Sequence, residues 1–323
     1  MGTARRIAAI DIGTVTMRLL IADVSAELIH EVARSTDITH LGEGTANSGR
    51  LSAEALGRVR RVATSYAELI REHEVDRVTA YATSASRDAA NGKELVAVLA
   101  DAGIAVEVIS GEREARLSFA GATWSVTGEG LLVVDVGGGS TELVFGSVVR
   151  GSGGEVCSDI ELMRSIDVGS RRITETFLHT DPPTHSELDA ARAHVTSELR
   201  PFFAALRSKP RVLFSLAGAA TSLSAINLGL EVYSSERVHL SRLTGPQLGD
   251  MVEALAGMPV ARRREVVGLH PDRAAVIVAG ALIIEIALAL AGLDSTVVSE
   301  HDILYGILLE SFSASVLAET DGA

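Results

Sequence analysis

Residues 131–145 read LLVVDVGGGSTELVF, and residues 7–23 read IAAIDIGTVTMRLLIAD. Each stretch has an apolar strand, then Asp-x-Gly with small hydroxyl residues, then a second apolar strand. This pattern is typical of a β-hairpin with an acid at its mouth. Because the pattern occurs twice, it predicts two similar domains that face each other across a central cleft.

The turn of the second hairpin predicts a phosphate site. Gly137–Gly139 have no Cβ, so successive N–H groups can converge on one anion. Ser140 and Thr141 add hydroxyl donors. Tight glycine turns would explain one such hairpin, but Asp11 and Asp135 occupy the same place in both hairpins. The repeated acid favours a site that binds phosphate together with a divalent cation.

Composition limits the classes of protein to consider. The chain has 323 residues, of which 47% are hydrophobic, so it is long enough for two domains with substantial cores. Its formal net charge of −13 disfavours a nucleic-acid partner. The single cysteine, Cys157, excludes an internal disulfide and a cysteine metal cluster. Arg5 and Arg6 lead directly into a strand, so nothing there resembles a signal peptide, and we expect a cytoplasmic location.

One apolar segment has about the length of a membrane span, roughly 20 residues. It covers residues 274–293 and carries Glu285 near its middle, where a charge is costly in lipid. We therefore predict a buried helix and no membrane partner.

Alternating strand and helix patterns predict an α/β fold with two mixed-sheet domains and antiparallel hairpins, and not a simple doubly wound sheet. The predicted domains are residues 1–125 and 126–323, joined by a linker at 127–130, and a C-terminal helix at about 302–317 is a candidate to pack back on the first domain. The predicted strands cover 7–12, 17–23, 28–38, 77–83, 105–109, the hairpin 131–149, a further strand pair to about 168, 211–216 and 296–299. The predicted helices cover 52–73, 86–100, 111–122, a helix after Gly169, 184–206, a helix from Thr221, 245–256, 272–291 and the C-terminal helix.

Two further segments carry residues suited to phosphate chemistry. Residues 81–87 follow a strand and open a helix, which places Thr83 and Arg87 where a helix N-terminus binds anions. Ordinary helix capping explains these residues equally well. In residues 109–116, Glu114 falls in the first turn of a helix, where the macrodipole favours an acid. Alternatively, an acid of this turn faces the cleft and orients water.

Together these residues resemble the exopolyphosphatase and guanosine pentaphosphate phosphohydrolase (Ppx/GppA phosphatase) family, within the actin-like ATPase and sugar kinase superfamily. The resemblance implies that the two mixed-sheet domains are of the actin-like, or ribonuclease H-like, type. The resemblance extends over nearly the whole chain and is most specific in residues 110–116 and 135–143. The other matching positions are 10–14 with 18–20, 82–83 with 87, Gly169 with Arg172, 177–179 with 181–183, and 268–273 with Gly280.

The resemblance implies a Mg²⁺-dependent hydrolase, with Mn²⁺ as a substitute, that acts in the stringent response as a homodimer. Its substrate would be inorganic polyphosphate, which loses its terminal phosphate, or pppGpp, which loses its 5′-phosphate; guanosine tetraphosphate is a further implied ligand. By resemblance, Glu114 positions or deprotonates the attacking water, and Arg87 clamps the phosphate. The implied phosphate-binding residues are Thr14, Arg18, Thr83, Gly137, Gly138, Gly139, Ser140 and Thr141. The implied metal ligands are Asp11, Asp135 and Glu142.

The chain departs from the family pattern at several positions, which are Val15 for Asn, His40 for Arg, Ala219 for Gly or Thr, and Leu304-Tyr305 for Arg-Glu. Two alternatives stay open. One is a small-molecule kinase or ATPase of the same superfamily, and the other, which these departures motivate, is a non-enzymatic sensor of polyphosphate or alarmone. Glu114 in the family position points to water as the phosphate acceptor and so disfavours the kinase. The retained Glu114, Arg87 and Asp135 disfavour the sensor.

Overall fold

The structure, a computed structural model, describes residues 4–150 and 156–320. These residues form two compact units. The first unit contains the described residues up to Gly121 and from Ile303 onward, and the second contains Ala122–Asp302.

The first unit is built on one sheet of five strands. The strands are β1 (Arg5–Ile12), β2 (Thr16–Val24), β3 (Ile29–Ile38), β4 (Arg77–Ala82) and β5 (Val106–Val108). The helices are α1 (Thr45–Ser48), α2 (Ala53–Glu72), α3 (Ser84–Asp88), α4 (Gly92–Asp101), α5 (Gly111–Thr123) and the last helix of the chain, α13 (Ile303–Thr320). The sheet order is β3-β2-β1-β4-β5, and α13 packs against β1, β2 and β4.

The second unit is built on a sheet of six strands. The strands are β6 (Gly128–Val136), β7 (Thr141–Arg150), β8 (Val156–Ile166), β9 (Val212–Leu216), β10 (Arg242–Thr244) and β11 (Ser295–Val298). The helices are α6 (Ser170–Phe177), α7 (His185–Ala204), α8 (Ala217–Asn227), α9 (Ser235–Val238), α10 (Gly245–Ala256), α11 (Val260–Arg263), a 3₁₀ turn (Pro271–Arg273) and α12 (Ile277–Ala291). The sheet order is β10-β11-β9-β6-β7-β8.

The two sheets repeat one topology. In each, an antiparallel meander of three strands, β1-β2-β3 or β6-β7-β8, continues through its first strand into parallel neighbours. Those parallel neighbours are β4 and β5 in the first unit and β9 and β11 in the second. The carboxyl ends of three parallel strands therefore meet at one edge of each sheet, the edge where α/β proteins commonly bind ligands. The repeated hairpin predicted from sequence is confirmed.

The apolar segment of the second unit is a buried helix, as predicted. Twelve of the 15 residues of α12 are buried, and Glu285 pairs with Arg192, whose Nη2 lies 2.9 Å from Oε2. Gly280 gives room to Ala219, because a Cβ at Gly280 would lie 2.7 Å from the Ala219 Cβ. No helix within residues 4–150 and 156–320 combines the length and the apolar character that crossing a membrane requires.

The helix predicted at 86–100 is wrong in its extent, because two helices, α3 and α4, cover this part of the chain. Asn91 separates them. Its side-chain amide accepts from Leu51 N at 2.8 Å and donates to Leu51 O at 3.1 Å. The amide thus pairs with the backbone of Leu51 as a neighbouring strand would. Gly92 follows, and a Cβ there would overlap the carbonyl of Ser86. Long-range contacts therefore break a helix that local periodicity favours.

Three other predictions need correction. The helix predicted from Thr221 begins at Ala217, directly after β9, and Ala217 adopts a left-handed φ of 62° that sequence does not favour for alanine. A single strand, β8, covers the described residues where a strand pair was predicted. The predicted linker at 127–130 includes the start of β6, with a register shift between Gly128 and Leu131.

Candidate functional site

The glycine turn, residues 137–140 between β6 and β7, is held by helix α6. Gly137 N donates to Ser140 O at 3.0 Å and closes the turn. The carbonyl of Gly137 accepts from Ser170 N at 2.9 Å, and that of Gly138 accepts from Arg171 N at 2.9 Å. The N–H groups at the start of α6 therefore donate to the carbonyls of the glycine turn.

A third bond completes this arrangement. Arg172 Nε donates to Gly139 O at 2.8 Å, so the carbonyls of all three glycines accept hydrogen bonds. By contrast, the N–H groups of Gly138 and Gly139 meet no acceptor within the described residues. A turn with occupied carbonyls and open amides is suited to an anion.

Gly169 permits the close approach of α6. A Cβ built on it would lie 2.5 Å from Gly138 C and O and from Gly139 C. We expect Gly169→Ala to cost about 1–3 kcal/mol of unfolding free energy, as overpacking does, and to raise the KM for a phosphate substrate. Denaturant unfolding and steady-state kinetics measure both effects. The control is Gly245→Ala at the start of α10, where the nearest atom would be 3.9 Å away; equal effects of the two substitutions would contradict a special role for Gly169.

Two acids face each other across the second hairpin. Asp135 and Glu142 are directly opposite in the β6–β7 register, and their exposed fractions are 6% and 1%. Opposite Cβ atoms of an antiparallel pair lie about 4.5–5.5 Å apart on one face, where like charges repel. Glu142 Oε1 accepts from Ser165 Oγ at 2.7 Å, which orients that carboxylate. Two buried carboxylates on one face of the hairpin fit Mg²⁺, which is commonly bound by one or two carboxylates with water and substrate phosphate.

The first hairpin has a different electrostatic character at the same position. Asp11 is directly opposite Arg18 in the β1–β2 register, and Arg18 Nη2 lies 2.6 Å from Asp11 Oδ2. Its turn repeats the backbone bond of the second, since Gly13 N donates to Thr16 O at 2.9 Å. An acid–base pair thus replaces the acid–acid pair of the second unit, and the two predicted metal positions are not equivalent.

Three of the predicted phosphate-binding threonines are buried and bonded within the fold. Thr141 Oγ1 donates its proton to Val168 O at 2.5 Å in the core, so it could bind phosphate only after that bond breaks. Thr14 is 7% exposed, and its carbonyl accepts from Gly42 N at 2.8 Å. Thr83 Oγ1 makes a long bond of 3.4 Å to Ile12 O. Their predicted roles in phosphate binding stay predictions.

The departures from the family pattern in the first unit have local structural partners. The Val15 carbonyl accepts from the N–H groups of Thr39 and His40, both at 2.9 Å, so Val15 contributes through its backbone. Tyr305 donates to Glu31 Oε1 at 2.7 Å, while Leu304 is fully buried.

Arg87 and Glu114 form an ion pair at the carboxyl edge of the first sheet. Arg87 follows β4, Glu114 follows β5, and these strands are parallel neighbours. Arg87 Nη1 lies 2.6 Å from Glu114 Oε2 and 3.1 Å from Ile109 O. Glu114 is 9% exposed. The structure thus brings together two residues that sequence analysis assigned to separate segments and separate roles.

The pairing leaves part of the Arg87 guanidinium open. Both bonds of Arg87 use Nη1, and its Nε and Nη2 groups donate to no atom of the described residues. A guanidinium has five N–H donors in a fixed fork. Arg87 can therefore hold the Glu114 carboxylate with one nitrogen and an anion with the others.

Sequence analysis missed several residues that shape the site. Arg172 and Gly169 were noted only as matches to a pattern, yet they dock α6 on the glycine turn. Their sequence signal is a glycine before a helix whose second and third residues are arginines. The partner of Arg87 had no local signal, whereas the pairing of Arg18 with Asp11 follows from the register of a local hairpin. No group of three or more His, Cys, Asp or Glu residues suited to a metal occurs in the described part of the chain.

Comparisons with known proteins show which family the chain resembles. The profile of the Ppx/GppA phosphatase family matches residues 20–311. Exopolyphosphatase 2 of Mycobacterium tuberculosis is 43% identical over 324 residues, and the match covers 94% of this chain and 98% of that protein.

Solved structures match over a similar extent. An exopolyphosphatase-like protein has a TM-score of 0.88 at 35% identity, covering 96% of this chain and 98% of that one. The Aquifex aeolicus member of the Ppx/GppA family has a TM-score of 0.79 at 31% identity, covering 97% and 99%. With the two repeated sheets, these matches confirm the predicted α/β class with two mixed sheets. The actin-like character of the two domains stays a prediction.

Proposed function

This chain belongs to the Ppx/GppA phosphatase family, and from that premise we propose that it is a Mg²⁺-dependent exopolyphosphatase. It would hydrolyse the terminal phosphoanhydride bond of inorganic polyphosphate and, as a second substrate, remove the 5′-phosphate of pppGpp. The observation that carries the proposal is the glycine turn, whose three carbonyls accept hydrogen bonds while two amides meet no acceptor within the described residues.

The glycine turn supports the binding of the phosphate that is released. Phosphoryl transfer places charge on the nonbridging oxygens, so catalysis depends on positioning and on electrostatic stabilisation. Amides held in place by the hydrogen bonds of the turn's carbonyls would stabilise that charge without reorganising. Helix α6 supplies the rigidity, because its first turn and Arg172 bond the turn from behind.

Glu114 is the candidate to hold the attacking water. The reaction needs a carboxylate that accepts a proton from water or orients it toward phosphorus. Arg87 keeps this carboxylate in one place through the 2.6 Å bond. The open Nε and Nη2 groups of Arg87 would bind the substrate's phosphate, so one guanidinium would position both water and phosphate.

Asp135 and Glu142 are the candidates to hold Mg²⁺, because their carboxylates face each other on one side of the second hairpin. When bound, Mg²⁺ supplies positive charge that stabilises phosphate oxygens and relieves the repulsion of two acids facing a polyanion. Asp11 is a weaker candidate because Arg18 neutralises it. The homodimer, the cytoplasmic location and the joint action of both units on one substrate stay predictions.

Arg87→Ala is expected to raise KM and lower kcat together, because the guanidinium would contact phosphate in both the ground state and the transition state. In a double-mutant cycle, Arg87→Ala and Glu114→Gln should be strongly non-additive, because each acts through the same pair. Unchanged kinetics in folded Arg87→Ala would mean that residues 81–87 only cap a helix and do not bind phosphate.

Phosphate release tests the proposal against its alternatives. The protein is incubated with Mg²⁺ and, separately, polyphosphate, pppGpp and ATP, and inorganic phosphate is measured over time. The proposal predicts release from polyphosphate without any added acceptor. Tight binding without release would favour a sensor, and ADP formation that requires a small-molecule acceptor would favour a kinase.

A further inference from the structure

Helix α13 contacts α5, the helix that carries Glu114, on both sides of that residue. Gly306 lies against the backbone of Leu117, and a Cβ at Gly306 would overlap the Leu117 carbonyl. One turn further along α13, Glu310 Oε1 lies 2.9 Å from Arg113 Nη2. Because Leu117 is one turn after Arg113, the two helices run in opposite directions at this contact.

The polar end of this contact is a network of three residues. Tyr81 donates to Glu310 Oε1 at 2.6 Å, and Arg113 Nη2 donates to the Tyr81 hydroxyl at 2.6 Å. The Arg113 guanidinium also lies over the Tyr81 ring, 4.6 Å from its centroid. Burial and the Glu310 carboxylate raise the pKa of Tyr81, so its hydroxyl stays protonated and continues to donate.

Other bonds fix α13 to the sheet of the same unit. Ser311 Oγ accepts from Thr79 Oγ1 at 3.0 Å, and Tyr305 donates to Glu31 at 2.7 Å. These partners lie on β4 and β3, so α13 is held against rigid strands. A helix held in this way can serve as a support for α5.

We propose that Gly306 and Glu310 are positioning residues that fix the first turns of α5, and with them the Glu114 carboxylate, for the hydrolysis proposed above. Arg113 precedes Glu114 directly and Leu117 follows it by one turn, so the two contacts bracket the carboxylate. This inference rests on the proposed function of Glu114. Its physical basis is the sensitivity of catalysis to geometry, since a displacement of about 1 Å can cost on the order of 100-fold in rate.

Two substitutions test the proposal. Gly306→Ala must push α5 or α13 aside, and Glu310→Ala removes the polar anchor from a side chain that is 40% exposed, so the second variant should fold even where the first does not. Each should lower kcat roughly tenfold or more while KM changes little. The matched controls are Gly57→Ala, whose nearest atom would be 3.9 Å away, and Glu68→Ala on an exposed position of α2; both should keep wild-type kinetics.

A double-mutant cycle separates positioning from a general structural role. In the Glu114→Gln background, Gly306→Ala and Glu310→Ala should cause little further loss, because the carboxylate that they position is gone. Losses that simply add to that of Glu114→Gln, or unchanged kcat in folded Glu310→Ala, would overturn the proposal.

Hydrogen exchange provides a readout that does not depend on activity. Peptides that cover residues 110–118 should exchange faster in both variants than in wild type or the controls, because α5 loses its support. Unchanged exchange there would overturn the positioning role even if the protein hydrolyses polyphosphate. Failure of wild type to release phosphate, with faster exchange in the variants, would instead count against the proposed function alone.

Discussion

Glu114→Gln is expected to lower kcat about 10²–10⁴-fold, the usual loss when a general base is removed, while substrate affinity changes little. The substitution keeps the size and shape of the side chain but removes the charge that would hold water. Its amide can still approach Arg87, so the fold at the carboxyl edge of the first sheet should persist. Steady-state phosphate release and polyphosphate binding by calorimetry measure the two quantities separately.

Glu112→Gln is the matched control, because Glu112 lies in the same first turn of α5 but is exposed. It should retain wild-type turnover. If Glu114→Gln kept turnover within a few-fold of wild type, Glu114 would have no part in the mechanism, and its ion pair with Arg87 would be structural only.

Removal of divalent cations is expected to abolish activity, and Mg²⁺ or Mn²⁺ should restore it. Asp135→Asn and Glu142→Gln should each raise the Mg²⁺ concentration for half-maximal activity by at least about tenfold, since the loss of even an outer-sphere partner costs that much affinity. Asp11→Asn should leave this concentration unchanged, because Arg18 already neutralises Asp11. Titration of Mn²⁺ binding by electron paramagnetic resonance should rank the cation affinities of the three variants in the same order, independently of turnover.

Asp159→Asn, at an exposed position of β8, is the control for the two acid variants and should have no effect on the Mg²⁺ titration. Full activity of metal-stripped protein in excess chelator would exclude the cation from the reaction. Equal effects of Asp11→Asn and Asp135→Asn would instead show that both hairpins contribute alike to the metal site.

Much of the fold was predictable because its signals are local. Ser52 caps α2 through a bond from Ala55 N, and Thr184 begins α7 with a capping box completed by Glu187. The two hairpins were predictable because alternating apolar residues flank glycine-rich turns. The repeated pattern predicts two hairpins of one kind, and the sheets built on them share one topology.

The parts that sequence did not predict depend on distant contacts. The break between α3 and α4 requires Asn91 to pair with Leu51, 40 residues earlier in the chain. The start of α8 at Ala217 requires a left-handed backbone conformation, which a glycine in the sequence would indicate but an alanine does not. Neither feature leaves a local trace in composition or periodicity.

The candidate site also combines features that local sequence predicts with features that depend on distant contacts. The glycine turn and its acids were visible in sequence, because residue type and spacing carry their chemistry. The pairing of Arg87 with Glu114, 27 residues apart, depends on two strands becoming parallel neighbours. Likewise, the neutralisation of Asp11 by Arg18 follows from the hairpin register, which sets a basic residue opposite one acid and an acidic residue opposite the other.

Isotope incorporation from water tests the central claim most directly. The protein hydrolyses polyphosphate in H₂¹⁸O with Mg²⁺, and mass spectrometry measures the label in the first phosphate released. Attack of water on the terminal phosphorus, with cleavage of its bond to the bridging oxygen, predicts one ¹⁸O atom in each released phosphate, and Glu114→Gln should suppress its formation. Released phosphate without ¹⁸O, or label found only in the shortened chain, would contradict attack by a water held at the terminal phosphate.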